Sequence, residues 1–140
     1  MCETSWQHFP HGADMGVRGI GKSKAAAFEQ AALAVTALVT DPQSVRAEIL
    51  VRIECQAPDD ELLLVEWLND IIFEMATRKM LFVRFAVTID GRKLVGKAWG
   101  EPIDASKHEL AVEVKGATCT NLSVRQVESG RWRAQCVVDV

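Results

Sequence analysis

A chain of 140 residues that is 49% hydrophobic and 25% charged is long enough to bury one compact core, and it has no run of the roughly 18 apolar residues that a membrane span requires. Sixteen Lys and Arg against 19 Asp and Glu, a formal net charge of −3, argue against the dense cationic footprint of sequence-independent nucleic-acid binding, so no strong direct nucleic-acid contact is expected. Four cysteines, Cys2, Cys55, Cys119 and Cys136, stand far apart with no Cys-x-x-Cys pair, which removes the zinc-knuckle and redox-dithiol signals and leaves three of them expected as small core residues.

From the N-terminus, the start Met1-Cys2-Glu3-Thr4-Ser5-Trp6 shows neither the basic region nor the apolar stretch of a signal peptide, and a cytoplasmic protein is expected. Residues 6–9 and 16–21 read as short strands around a turn holding Asp14. Ser23 is placed to cap a helix running through Val39, with Phe28, Ala31, Ala32, Val35, Leu38 and Val39 on its apolar face. Asp41-Pro42 stops it. Residues 45–55 then alternate apolar and charged, Val45, Ala47, Ile49, Val51, Ile53 and Cys55 against Arg46, Glu48, Arg52 and Glu54, with Leu50 the one break, which predicts a half-buried strand.

Pro58-Asp59-Asp60-Glu61 opens a second helix with acids in its first turn, where the helix dipole favours them, and the helix is predicted to reach about Arg78. Apolar residues wrap most of it, leaving a narrow stripe of Glu66, Asn69, Asp70, Glu74 and Thr77. It is expected to be a central core helix, with a partner contact along its apolar edge as the competing reading. Residues 82–89 and 93–101 form a predicted hairpin across Asp90-Gly91, a type I′ signal. Arg78, Lys79, Arg84, Arg92, Lys93 and Lys97 crowd this region and read as solvated strand faces. Residues 112–119, 122–128 and 131–140 give three more strands, the last two joined at Ser129-Gly130.

No linker, repeat or low-complexity segment divides the chain, so one domain spanning 1–140 is expected. Helices early and a β-meander late predict an α+β fold, two helices packed on a curved, mostly antiparallel sheet.

The chemistry gathers at the two ends. Asp14 stands in His11-Gly12-Ala13-Asp14-Met15-Gly16, and Asp139 is next to the last residue, Val140. Taken singly, Asp14 reads as a turn former and Asp139 as a solvent-facing residue on an edge strand. Taken together with the Val140 α-carboxylate they are three hard oxygen donors, a set that selects calcium, magnesium or manganese over zinc. His8 and His11 lie close in sequence as further donors, and His108-Glu109 sits in a polar loop after Gly100-Glu101-Pro102. Gly16, Gly19 and Gly21 do not make a dinucleotide fingerprint, and Gly19-Ile20-Gly21-Lys22-Ser23 is only faintly like a phosphate loop. An autonomous metal-dependent hydrolase using Asp14 with His11 or His108 remains a competing reading.

With those residues in view, the chain resembles the archease family. The resemblance rests on His11-Gly12-Ala13-Asp14-Met15-Gly16-Val17-Arg18, Val65-Glu66-Trp67-Leu68-Asn69, Ala98-Trp99-Gly100-Glu101-Pro102-Ile103-Asp104, Lys107-His108-Glu109-Leu110, Glu113-Val114-Lys115 and Val137-Val138-Asp139-Val140, in that order along nearly the whole chain. It implies an α+β archease-like fold and a non-catalytic cofactor of an RtcB-type RNA ligase, promoting its guanylylation and turnover in tRNA splicing and RNA repair. A chaperone-like role toward a tRNA methyltransferase is the family's other implied function. Carried over, the family's metal site falls on Asp14, Asp139 and Val140, with His11, His108, Glu109 and Lys115 as supporting or partner-contact residues. Three departures stand out: Gly12 where threonine is usual, Gly19-Ile20 for Ala-Trp, and Thr120 where histidine is common.

Overall fold

The computed structural model describes residues 4–140. Strands β1 (Ser5–His11) and β2 (Asp14–Gly21) form a hairpin and lead into helix α1 (Lys24–Val39). Ser23 accepts the Ala26 amide at 3.1 Å, satisfying one of the donors a helix start leaves free. Strand β3 (Ile49–Gln56) precedes helix α2 (Asp60–Arg78), which Asp59 caps by accepting from the Leu62 amide at 2.8 Å and which ends at Lys79 in the left-handed conformation. There follow the long hairpin β4 (Met80–Asp90) and β5 (Lys93–Pro102), the two-residue β6 (Gly116–Ala117), β7 (Ser123–Gln126) and β8 (Trp132–Asp139).

The expected two helices on antiparallel strands are present, and the strands divide into two sheets. One has the order β1-β2-β8-β6, with β7 also paired to β8; the other has the order β3-β5-β4. All pairings are antiparallel. Helix α1 touches β2 and β8 of the first sheet and β4 of the second, and α2 likewise contacts strands of both. Trp67 is the pivot: it is fully buried, its indole N–H donates to the Phe28 carbonyl at 3.0 Å, and Phe85 meets its ring edge-on at 6.1 Å. Truncating such a residue to alanine typically costs about 3–5 kcal/mol.

Glycines in β2 have a packing role. A Cβ at Gly19 would lie 2.1 Å from the Ala27 carbonyl oxygen and 2.3 Å from the Ala31 nitrogen, so the backbone of α1 rides directly on this strand.

Several expected boundaries move. β3 begins at Ile49, because Pro42–Ser44 makes a 3-10 turn and the Arg46 amide donates to a Glu101 side chain at 2.9 Å. The β4–β5 loop is Gly91-Arg92, since Asp90 pairs with Lys93, and only Gly91 has a positive φ (60°), so the turn is not type I′. Of the strand expected over 112–119, only Gly116–Ala117 forms. The preceding stretch is a strap without regular structure, tied down by Ala111 N–H to the Val39 carbonyl at 2.8 Å. Cys136 is buried, Cys55 half-buried and Cys119 exposed; the expected core role is met at Cys136, partly at Cys55 and not at Cys119, and Cys2 lies outside the described residues. Burial, with Asp70 and Glu66 nearby, pushes the Cys55 thiol up to about 12, which keeps it unreactive.

Candidate metal centre

Asp14 opens β2 and pairs with His11 across the two-residue loop Gly12-Ala13. Gly12 has φ +58° while Ala13 is not positive, the pattern of a loop that needs glycine first. A threonine at this point would carry a β-branched side chain in the left-handed region, so the departure at Gly12 is matched to this turn.

β8 lies between β2 on one side and β6 and β7 on the other, which corrects the expectation that Asp139 sits on an edge strand. Met15 is opposite Val138 in the β2–β8 register, and the same register carried one residue further sets Asp14 across from Asp139. The Val140 amide donates to Asp14 Oδ1 at 3.4 Å, a long contact joining residues 126 positions apart. Asp139 is exposed, Asp14 and Val140 are half-buried, and the Val140 side chain packs against the core.

The far side of β8 is held in place from α2. Gly116 pairs with Asp139, the Lys115 amide donates to the Asp139 carbonyl at 2.8 Å, and the Ala117 amide donates to Asn69 Oδ1 at 2.8 Å. Asn69 Nδ2 returns a bond to the Ala117 carbonyl at 3.5 Å. Asn69 is therefore a positioning residue for this end of the sheet. In the sequence it is one polar residue in the stripe of an apolar helix, and nothing there signals its partner 48 positions away.

The two aspartates fit a hard divalent cation in their chemistry: carboxylate oxygens from two adjacent strands at a solvent-facing tip, with the exposed His11 beside them. Among the described residues no group of three or more His, Cys, Asp or Glu residues is placed to hold a metal ion.

The remaining predicted residues divide. His11 is exposed beside the Asp14 turn. His8 is directed elsewhere, its Nε2 donating to the Ala34 carbonyl at 2.8 Å with its ring tilted on Trp6 at 4.9 Å. Lys115 reaches the tip through its backbone, with its side chain exposed. Glu109 is exposed, and its carbonyl accepts from Thr40 Oγ1 at 2.9 Å. His108 is a correction: it is 3% exposed and both ring nitrogens are engaged, one by the Asp104 amide and one by Glu101 of β5, so it offers neither to the tip nor to a partner. The Asp104 amide donates to its Nδ1 at 3.0 Å, which leaves the proton on Nε2, and Nε2 donates to Glu101 Oε2 at 2.9 Å.

Glu101 is the hub of that cluster. Lys107 Nζ bonds both of its oxygens at 2.6 and 2.9 Å, and the Arg46 amide adds a third partner. These bonds, led by Lys107, hold the carboxyl down at about 2 against the burial that opposes them.

A two-sheet α+β protein whose distant segments close on an acidic, oxygen-donor tip is the class these features define. The comparisons agree with the fold. Residues 6–140 match the Archease protein family (MTH1598/TM1083), and the chain belongs to that family. Protein archease of Pyrococcus furiosus is 34% identical over 139 residues, covering 96% of this chain and 98% of that protein. Its counterpart in Methanopyrus kandleri is 37% identical over 139 residues, with 96% and 99% covered. The solution structure of Methanobacterium thermoautotrophicum protein 1598 superposes with a TM-score of 0.83 at 31% identity, covering 97% of this chain and 99% of that one. A Thermotoga maritima structure described as an archease, possible chaperone, gives 0.57 at 17% identity with 96% of each chain covered, a likeness of fold alone. Among the described residues no helix is long and apolar enough to cross a membrane.

Proposed function

We propose that this chain is a non-catalytic cofactor of an RtcB-type RNA ligase, promoting its guanylylation and turnover by handling a divalent cation at Asp14, Asp139 and the Val140 carboxylate. The observation that carries the reading is the contact between the Val140 amide and Asp14 Oδ1, which joins the two ends of the chain at one point. Membership of the archease family supports the choice of partner. A bound divalent ion would supply charge stabilisation to a phosphoryl oxygen. The protein's own residues hold and orient that ion: two carboxylates on neighbouring strands, one braced by the β1–β2 turn and the other by Lys115 and Gly116. Catalysis belongs to the ligase.

The test is multiple-turnover RNA ligation by the cognate ligase with guanosine triphosphate, with and without this protein. The wild-type chain is expected to raise turnover, and Asp14→Ala or Asp139→Ala to remove the gain. Hydrolysis of RNA or nucleotide by the chain alone, abolished by Asp14→Ala, would instead make it a metal-dependent hydrolase. Altered oligomerisation of a tRNA methyltransferase with no effect on ligation would favour the chaperone-like reading.

A further inference from the structure

A second surface uses none of the tip's acids. Between the end of α2, the start of β4 and the strap lies an apolar cleft of about 380 Å³, within the size range of pockets that take organic groups. Ile72, Met75, Met80 and Leu81 line it from the core, Leu110 and Val112 from the strap. Leu110 is 50% exposed, Val112 40%, and Phe73, on the adjoining depression, 61%. Single exposed apolar residues are ordinary, but a set gathered around a cleft marks a binding surface.

Two further observations say what would occupy it. Glu113 and Asp70 line the cleft and the adjoining depression, and neither is ion-paired among the described residues. Burial and the neighbouring Glu66 and Glu74 hold the Asp70 carboxyl above its usual range, a crowding that an incoming cation relieves. Among the described residues Lys115 is the one cation lining the depression. The backbone N–H groups of Val112, Glu113 and Val114 also donate to no acceptor among the described residues, leaving them free to pair with another backbone. A second copy of this chain, with net charge −3 and the same acidic rim, would bring like charges together.

We propose that this cleft docks a basic, apolar segment of a partner protein: large apolar side chains enter between α2 and the strap, Lys or Arg faces Glu113 and Asp70, and the segment's carbonyls accept from the strap amides. None of Asp14, Asp139 and Val140 lines this surface, so Asp14→Ala leaves it intact.

The probe is a fluorescein-labelled peptide of alternating Leu and Lys, compared by anisotropy with an alternating Leu and Glu peptide of equal length, against the full chain. The Lys peptide is expected to bind and the Glu peptide not. Leu110→Glu should weaken binding at least tenfold and Asp70→Asn severalfold, while Leu50→Glu, at another exposed apolar position, and Asp14→Ala leave it unchanged. Amide exchange at Val112 and Val114 should slow in the complex. Equal binding of both peptides, no loss with either Leu110→Glu or Asp70→Asn, or loss with Leu50→Glu overturns the proposal. Self-association of the chain that Leu110→Glu disrupts would assign the cleft to a second copy and overturn it as well. Asp70→Asn changes no apolar packing, so it decides the matter even if Leu110→Glu fails to fold.

Discussion

The acidic tip and the Glu101 cluster have similar chemistry and opposite circumstances. Glu101 is 8% exposed and saturated: Lys107, His108 and the Arg46 amide all bond it. Among the described residues the Asp14 carboxylate receives a single long contact, from the Val140 amide, and Asp139 stands exposed. A carboxylate whose lone pairs are all spoken for inside the chain serves the fold, since its charge is already neutralised and its geometry set. Carboxylates left with unsatisfied lone pairs at the surface can still take a cation. Residue type alone did not separate the two, because His108-Glu109 and its loop looked as much like a site as Asp14 did; the hydrogen-bond inventory separates them.

That contrast can be broken at four points, in falling order of effect. Asp14→Ala or Asp139→Ala should lower manganese or calcium affinity, read by calorimetry, by about a hundredfold or roughly 2.7 kcal/mol; unchanged affinity would remove the metal centre. Glu101→Gln should leave metal affinity alone and lower stability by about 2 kcal/mol, near 8 °C in Tm. Its pH signature has a definite sign. The folded carboxyl lies at about 2 against an ordinary 4.5, so its contribution is complete above about 4.5 and lost as pH falls toward 2. In denaturation series across that window, the wild-type chain should lose more stability than Glu101→Gln; parallel curves would show that the cluster is not the source. Extending the chain beyond Val140 moves the terminal carboxylate and should weaken metal binding about tenfold, roughly 1.4 kcal/mol, whereas an N-terminal tag should not. The smallest effect is Gly12→Thr, which strains a φ of +58° and should cost about 1 kcal/mol in chemical denaturation without altering the Glu101 pH window.

Much of the secondary structure was legible because its causes are local. Ser23 caps α1 as expected, α2 starts in the acidic run expected to open it and Asp59 there is its cap, most of the apolar surface of α2 becomes core while Leu62 and Phe73 stay exposed, and the long hairpin forms where alternation begins. The misreadings also have physical causes. Val112 and Val114 alternate like a strand, but the segment around them is held at its flanks, by the Ala111 amide to Val39, the Lys115 amide to Asp139, Thr40 to the Glu109 carbonyl and the Glu101 cluster, and it lies across a cleft rather than in a ladder. Val45 and Ala47 alternate too, yet the Arg46 amide is drawn to Glu101 before the ladder begins. In both places a tertiary partner outcompeted a weak local preference.

For the candidate centre the division is sharper. Which residues carry oxygen donors, and that the chain resembles an archease, could be read along the chain. That Asp14 and Asp139 lie across from one another depends on β8 inserting between β2 and the β6 and β7 strands, and on Asn69 clasping Ala117 from α2. Those pairings close loops of many tens of residues, and no local propensity encodes them; they form only because burying both sheets against the two helices repays the entropy of bringing the ends together.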